Sequence, residues 1–178
     1  GENFINAGDE AGDTLNTCGY LRLDYLILTH YHDDHANGVP TLLARMPVDT
    51  ILVPPPAAED AAIHEKLTAL AARYGCAVDY VAQDTQVPLG GAEVRIFAPI
   101  GHGGTNEEGL SILCTAGDFD LLITGDMNSA NEAVLAETKD LPDIEVLMVG
   151  HHGSRDASST ELLRAVTPEA GIISVGED

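Results

Sequence analysis

The stretch "LTHYHDDHANG", residues 28–38, holds three of the chain's seven histidines within six positions. His30, His32, Asp34 and His35 form the pattern H-x-H-x-D-H directly after a short apolar run. Side chains at positions i and i+2 after a strand point the same way, so His30 and His32 are expected to bind one cation. Asp34 and His35 are expected to bind a second cation nearby. Neutral imidazoles and a carboxylate suit zinc, manganese or iron, so the stretch predicts a metal site.

Two other residues of this stretch have expected roles besides metal binding. Gly38 is expected to let the backbone turn sharply before the next helix. Tyr31, between two candidate ligands, is a candidate for lining a substrate cleft.

Two later segments supply the further ligands that a pair of metals needs. Asp126 follows the apolar run "LLIT" and is expected to bridge the two ions. In "GHHGS", residues 150–154, adjacent histidines lie between glycines at the end of another apolar run. His151 is the favoured ligand, and His152 is expected to support the site or to donate a proton to the leaving group.

This set of ligands predicts hydrolysis with one or two divalent metal ions, zinc or manganese. A water that bridges two metals is acidified to hydroxide near neutral pH, and the ions stabilise the charge that develops on the substrate. Asp34 is expected both to bind metal and to hold the nucleophilic water. The predicted catalytic residues are therefore Asp34 and His152.

Apolar runs alternate with helix-like stretches along the chain, which predicts an α/β fold. Residues 57–74 form the clearest helix, and Gly75 is expected to end it. Residues 110–126 predict a hairpin with its turn at Gly117–Asp118. The layout predicts a four-layer αββα sandwich formed by a single domain over residues 1–178.

The composition limits the partners of the chain. The net charge is −21, from 29 acidic and 8 basic residues, so the surface repels nucleic acid and anionic membranes in general. A polyanionic substrate would have to be held by metals or by a local basic feature. The apolar runs are far too short for a membrane span, so no direct membrane insertion by this chain is expected.

The motifs "LTHYHDDHANG", "LLITGDM" and "VGHHGS", followed by "IISVGED", resemble the metallo-β-lactamase superfamily. Within it they are most similar to the hydrolase domain of ComEC-type DNA-internalisation competence proteins. The resemblance implies the αββα fold, one or two divalent metals, and hydrolysis of phosphodiesters or similar esters. It also implies a small phosphoester or single-stranded DNA as substrate and a membrane-anchored parent protein. The location would be extracytoplasmic in such a parent, and otherwise cytoplasmic or secreted.

Some positions depart from the family pattern. Asn6 stands where the family has an aspartate, which is expected to weaken the support of the site. His102 is off-pattern for the family's histidine before the hairpin, and an ordinary loop histidine is the preferred interpretation. The chain opens at "GENFINAG", which is typical of the middle of a strand, and it stops at Asp178, before the family's Gly-His-Pro. The fold is therefore expected to be truncated at both ends.

Two alternative functions stay open. One is a small ester, lactam or lactone hydrolase on the same fold. The other is a non-catalytic metal-binding domain of a larger membrane protein. Charge around the cleft separates the substrates, because a basic rim favours DNA and a neutral apolar cleft favours a small molecule.

Overall fold

The computed structural model describes residues 6–101 and 109–175 of the 178-residue chain. The fold divides into two compact units, Gly1–Tyr80 and Val81–Asp178. His102 lies outside the described residues. The single domain predicted over the whole chain stays a prediction.

The first unit is built on a parallel sheet of three strands in the order β1-β2-β3. Its core lies between the sheet and the helices that connect the strands, and it includes Leu28, Ile51, Val53 and Leu67. The elements in chain order are α1 (Ala7–Thr17), β1 (Leu23–Ile27), α2 (Asp33–Ala36), α3 (Val39–Arg45), β2 (Val48–Val53), α4 (Ala61–Tyr74) and β3 (Ala77–Tyr80).

Helix α4 confirms the clearest helix prediction with one difference at its start. The first predicted turn is a 3-10 turn at Ala58–Asp60, and the α-helix begins at Ala61. Gly75 ends the helix as predicted, with a φ of 71° that glycine adopts without steric cost.

Helix α1 was not predicted, because its sequence "AGDEAGDTLNT" contains two glycines and few apolar residues. Asn6 caps it: the side-chain oxygen accepts hydrogen bonds from the backbone N–H groups of Gly8, at 2.9 Å, and Asp9, at 3.4 Å. Asparagine caps helices about as well as aspartate. The substitution at position 6 therefore keeps this local role.

Two glycines allow α1 to pack closely on the start of α3. A Cβ atom on Gly8 would lie 2.1 Å from the carbonyl oxygen of Gly38. Gly38 lies in the two-residue turn between α2 and α3, as predicted, but its angles, φ −79° and ψ −19°, are ones that any residue adopts. Glycine is needed at position 38 for space, because a Cβ there would lie 2.9 Å from the backbone nitrogen of Gly8.

The second unit is built on a sheet of six strands in the order β4-β5-β6-β7-β8-β9. Strands β4 to β7 pair antiparallel, whereas β7, β8 and β9 pair parallel. The elements in chain order are β4 (Thr85–Leu89), β5 (Ala92–Phe97), β6 (Ser111–Ala116), β7 (Phe119–Ile123), α5 (Ser129–Thr138), β8 (Val146–Met148), α6 (Thr160–Val166) and β9 (Ala170–Ile172).

The hairpin predicted within residues 110–126 is confirmed. Strands β6 and β7 pair with Ala116 opposite Phe119, so the turn is Gly117–Asp118, and Gly117 has a φ of 64°. Strand β4 was not predicted, because Pro88 lies within it. As an edge strand, β4 tolerates a proline that cannot donate to a partner.

The strand directions bring several strand ends of the second unit to one edge of its sheet. Strands β5 and β7 are both antiparallel to β6, and β8 is parallel to β7. Their carboxyl ends therefore share an edge, with Phe97 opposite Ser111 and Ile123 opposite Met148.

Within the described ranges, the helices are all too short or too polar to span a bilayer.

We expect Gly8→Ala to destabilise the chain by about 2 kcal/mol, because the new methyl group meets backbone atoms of α3 that cannot move aside. Urea unfolding followed by circular dichroism measures this change. Gly12→Ala on the same helix is the matched control, since its methyl group would meet only the flexible side chain of Arg45. We expect the control to stay within about 1 kcal/mol of wild type. Equal stabilities for the two variants would contradict the close packing of α1 on α3.

Candidate metal centre

The three histidines of the first motif gather after strand β1. The ring centroids of His30 and His35 are 4.0 Å apart, and those of His30 and His32 are 4.9 Å apart. His30 is only 1% exposed. Ligand atoms of His30 and His32 lie within 4.8 Å of each other, a separation that one bound ion can span. The structure therefore gathers these rings in the first unit, and their metal role stays a prediction.

Thr29 orients two of these rings, and sequence reasoning did not single it out. Its hydroxyl oxygen lies 3.1 Å from Nδ1 of His30 and 3.4 Å from Nδ1 of His35. A hydroxyl can donate to one ring nitrogen and accept from the other. Because Nδ1 is engaged in both rings, Nε2 is the candidate ligand atom of each. A threonine directly before the first motif histidine was the available signal.

Asp34 and His35 lie on the single-turn helix α2, where a loop was expected. Asp34 Oδ2 lies 3.7 Å from His35 Nε2, and the Asp34 side chain is 56% exposed. An exposed carboxylate next to a candidate ligand can contact both a metal and a water molecule. This placement is compatible with the two roles predicted for Asp34.

Tyr31 is a core residue, so the hypothesis that it lines a substrate cleft is wrong. It is 1% exposed, and its hydroxyl donates a hydrogen bond of 2.7 Å to the carbonyl oxygen of Pro54. Burial raises the pKa of Tyr31, and the nearby Tyr80 and Asp60 add to the shift. The side chain therefore ties the motif to the end of β2 and holds its neighbours His30 and His32 in place.

Asp126 and the two histidines of "GHHGS" form a cluster in the second unit. Asp126 is 5% exposed and follows β7, while His151 and His152 follow β8 on the same sheet edge. The Nε2 atom of His151 lies 3.9 Å from Asp126 Oδ2, and the Nε2 atom of His152 lies 3.8 Å from Asp126 Oδ1. The distance from Nε2 to Asp126 is nearly the same for His151 and His152, so both stay candidate metal ligands.

His152 has a hydrogen bond that is typical of metal-binding histidines. Its Nδ1 atom lies 2.9 Å from the carbonyl oxygen of Ser174, which fixes the ring and directs Nε2 towards Asp126. This contact supports His152 as a candidate ligand as well as a candidate proton donor, whereas the sequence favours His151 for the ligand role.

The backbone at both histidines is left-handed. His151 has a φ of 47° and His152 a φ of 54°, and both are followed by Gly153 at 78°. This region is unfavourable for residues with a Cβ, so the surrounding structure has to hold it. One such support is the backbone N–H of His151, which donates to the carbonyl oxygen of Gly125 at 3.0 Å.

Glu132 on α5 provides a second support, and sequence reasoning missed it. The residue is 0% exposed. Its carboxylate accepts hydrogen bonds from the backbone N–H groups of Ser158, at 3.0 Å, and Ser159, at 2.5 Å. It also closes the space beside Gly150, where a Cβ atom would lie 3.1 Å from Glu132 Oε1. A glutamate in a helix that begins three residues after Asp126 was the available signal.

The donor chemistry of both clusters fits divalent metal ions. Each cluster combines imidazole nitrogens with a carboxylate, the set that zinc and manganese accept. Ligand atoms of Asp34 and His35, and likewise of Asp126 and His152, lie within 4.8 Å of each other. Each unit therefore presents part of a plausible metal site.

Comparisons with known proteins extend this result. The chain is 26% identical over 166 residues to ComE operon protein 3 of Bacillus subtilis, covering 92% of this chain and 21% of that protein. It is 33% identical over 156 residues to Recombination protein 2 of Haemophilus influenzae, covering 86% of this chain and 18% of that protein. Both are ComEC-type competence proteins, so the predicted resemblance is confirmed at modest identity. The chain spans about a fifth of the length of these relatives.

A solved structure shows the same fold. CmlA, a diiron beta-hydroxylase from Streptomyces venezuelae, superposes with a TM-score of 0.60 at 20% identity, covering 85% of this chain and 35% of that one. A family model of the metallo-beta-lactamase superfamily matches residues 18–177. The predicted fold class is thereby confirmed, and the chain belongs to the metallo-β-lactamase superfamily.

Proposed function

We propose that this chain is a metal-dependent phosphodiesterase that cleaves a single nucleic-acid strand. One observation carries the metal-dependent part: three imidazole rings pack 4.0 and 4.9 Å apart after β1 in a chain of the metallo-β-lactamase superfamily. The phosphodiester part is supported by relatives named as a recombination protein and a ComE operon protein.

The proposed metal ligands come from both clusters. In the family that the motifs resemble, the H-x-H-x-D-H residues and the later aspartate and histidine serve one centre. By that resemblance the ligands are His30, His32, Asp34, His35, Asp126 and His151, with one or two zinc or manganese ions. When bound, such ions acidify water and polarise the phosphoryl oxygen.

The remaining steps belong to side chains of the protein. The exposed carboxylate of Asp34 accepts a hydrogen bond from the attacking water and orients it towards the phosphorus atom. His152 delivers a proton to the leaving oxygen from Nε2, while Nδ1 stays bonded to the Ser174 carbonyl. The partly exposed position of His152 gives Nε2 a route to exchange protons with solvent.

One observation favours a small ester or lactone as a second candidate substrate. A cavity of about 240 Å³ lies between α2, α3 and α4 in the first unit, and Asp33 at its rim is the chain neighbour of Asp34. Its wall is mainly apolar and includes Val39, Leu67 and Leu70. A small apolar acyl group would fit this cavity better than the charged backbone of a nucleic acid would.

A single comparison of substrates tests the proposed function. The purified chain is analysed for metal content, loaded with Mn²⁺ or Zn²⁺, and given a single-stranded 12-nucleotide DNA, bis(4-nitrophenyl) phosphate and 4-nitrophenyl acetate. We expect metal-dependent cleavage of both phosphodiesters. Cleavage of the acetate alone would favour the small-ester hydrolase, and bound metal without any turnover would favour the non-catalytic domain.

We expect His30→Ala and Asp126→Asn each to lower kcat/KM for bis(4-nitrophenyl) phosphate by at least about 100-fold, because each removes a proposed ligand. His64→Ala is the control, since His64 contacts Tyr31 and Tyr80 and is no proposed ligand. Circular dichroism checks that the variants fold. Full activity and full metal content in either ligand variant would show that its residue is not part of the centre.

We expect Glu132→Ala to destabilise the chain by about 3 kcal/mol, because one buried and one partly buried N–H group lose their acceptor and a cavity remains. We also expect metal affinity, measured by competition with a chelator, to fall about tenfold as the histidine segment loosens. Glu137→Ala on the exposed side of the same helix should change stability by no more than about 0.5 kcal/mol. Identical behaviour of the two variants would contradict the supporting role of Glu132.

A further inference from the structure

We propose that a cavity in the second unit holds a phosphate group of the substrate strand, away from the metal ligands; this inference rests on the proposed function. The cavity has a volume of about 330 Å³ and lies between the start of β4, the end of β5 and the end of α5. It is lined by residues 84–86, 95–97 and 138–140. A phosphate group with its bridging oxygens fits within this volume.

Two of the chain's eight basic residues meet at this cavity. The guanidinium carbon of Arg95 lies 5.7 Å from the centre of the Phe97 ring, and Nζ of Lys139 lies 5.9 Å from it. Lys139 also forms an ion pair of 2.8 Å with Asp84. Among the described residues, no carboxylate forms an ion pair with Arg95. Arg95 therefore offers its planar set of N–H donors to an anion, the geometry that matches a phosphate.

The acidic residues of the cavity differ in their effect on an anion. Both carboxylate oxygens of Asp84 are engaged, one by Lys139 and the other by the backbone N–H of Ala98 at 3.0 Å. Asp140 is exposed and lines the cavity, so its charge opposes an anion. Arg95 and Asp140 should consequently change phosphate affinity in opposite directions.

The cavity lies on the same sheet edge as Asp126. Strands β5 and β7 end at this edge, and two strand spacings of about 4.8 Å separate them. Helix α5 begins three residues after Asp126 and ends next to Lys139, and its ten residues span about 15 Å. These two lengths, about 10 and about 15 Å, place the cavity too far from Asp126 for one phosphate group to occupy both places.

Arg95→Gln tests the proposal with substrates of two lengths. We expect KM for a single-stranded 12-nucleotide DNA to rise about five- to tenfold with kcat unchanged, since one charged phosphate contact is lost. KM for a dinucleoside monophosphate should stay the same, because its single phosphate cannot occupy the cavity and the cleavage position at once. The slope of log KM against log salt for the 12-nucleotide strand should decrease by about 1.

Asp140→Asn and Arg164→Gln complete the design. Asp140→Asn should lower KM for the 12-nucleotide strand. Arg164→Gln should leave KM unchanged, because Arg164 is exposed on α6 and does not line the cavity. Equal KM values for wild type and Arg95→Gln, or equal effects of Arg95→Gln and Arg164→Gln, would overturn the proposal. If Arg95→Gln fails to fold, the Asp140→Asn variant tests the proposal in its place. A KM of Asp140→Asn equal to that of wild type would then overturn the phosphate site.

A binding measurement tests the phosphate site independently of the proposed phosphodiesterase activity. Fluorescence anisotropy of a labelled phosphorothioate 12-nucleotide strand with the metal-loaded chain reports affinity without cleavage. A five- to tenfold weaker affinity of Arg95→Gln supports the phosphate site even if no phosphodiester is hydrolysed. Equal affinity of the two proteins overturns the site even if wild type cleaves DNA.

Discussion

The buried carboxylate of Glu132 is the contact on which the second unit's cluster depends. It satisfies the backbone N–H groups of Ser158 and Ser159, and it fills the space next to Gly150. The segment between these points carries His151 and His152 in an unfavourable backbone conformation. A buried charge is costly, and full hydrogen bonding offsets that cost. The glutamate thus fixes the position of two histidines without contacting a substrate.

In the first unit, close packing fixes the positions of the motif histidines. Gly8 and Gly38 let α1 lie against α3, and Tyr31 is anchored by its hydroxyl to Pro54. The hydroxyl of Thr29 contacts Nδ1 of His30 and of His35 and so orients both rings. Close backbone contact, a buried ring and a hydroxyl together limit the freedom of the imidazoles before any metal binds. Such preorganisation lowers the entropic cost of binding an ion.

The sequence predicted which polar residues gather at the strand ends better than it predicted the residues that support them. His30, Asp126 and their partners carry local signals, because several histidines and aspartates next to strand ends are rare without a metal. Helix α1 has no such local signal in its polar, glycine-containing sequence. It is stabilised by the Asn6 cap and by the contact of Gly8 with Gly38, thirty residues away. Glu132 looks like any surface glutamate in a helix until the tertiary structure buries it. Long-range contacts of this kind are not encoded in local periodicity.

The left-handed backbone at His151 and His152 links the chemistry of the chain to its folding. Outside the folded unit these residues would relax to common conformations, at a gain of about 1 to 3 kcal/mol each, and the pair would no longer face Asp126. The metal binding proposed for this pair therefore requires that the surrounding fold is intact. Any ion captured there would in turn raise the melting temperature of the unit, because it binds the native state and not the disordered chain.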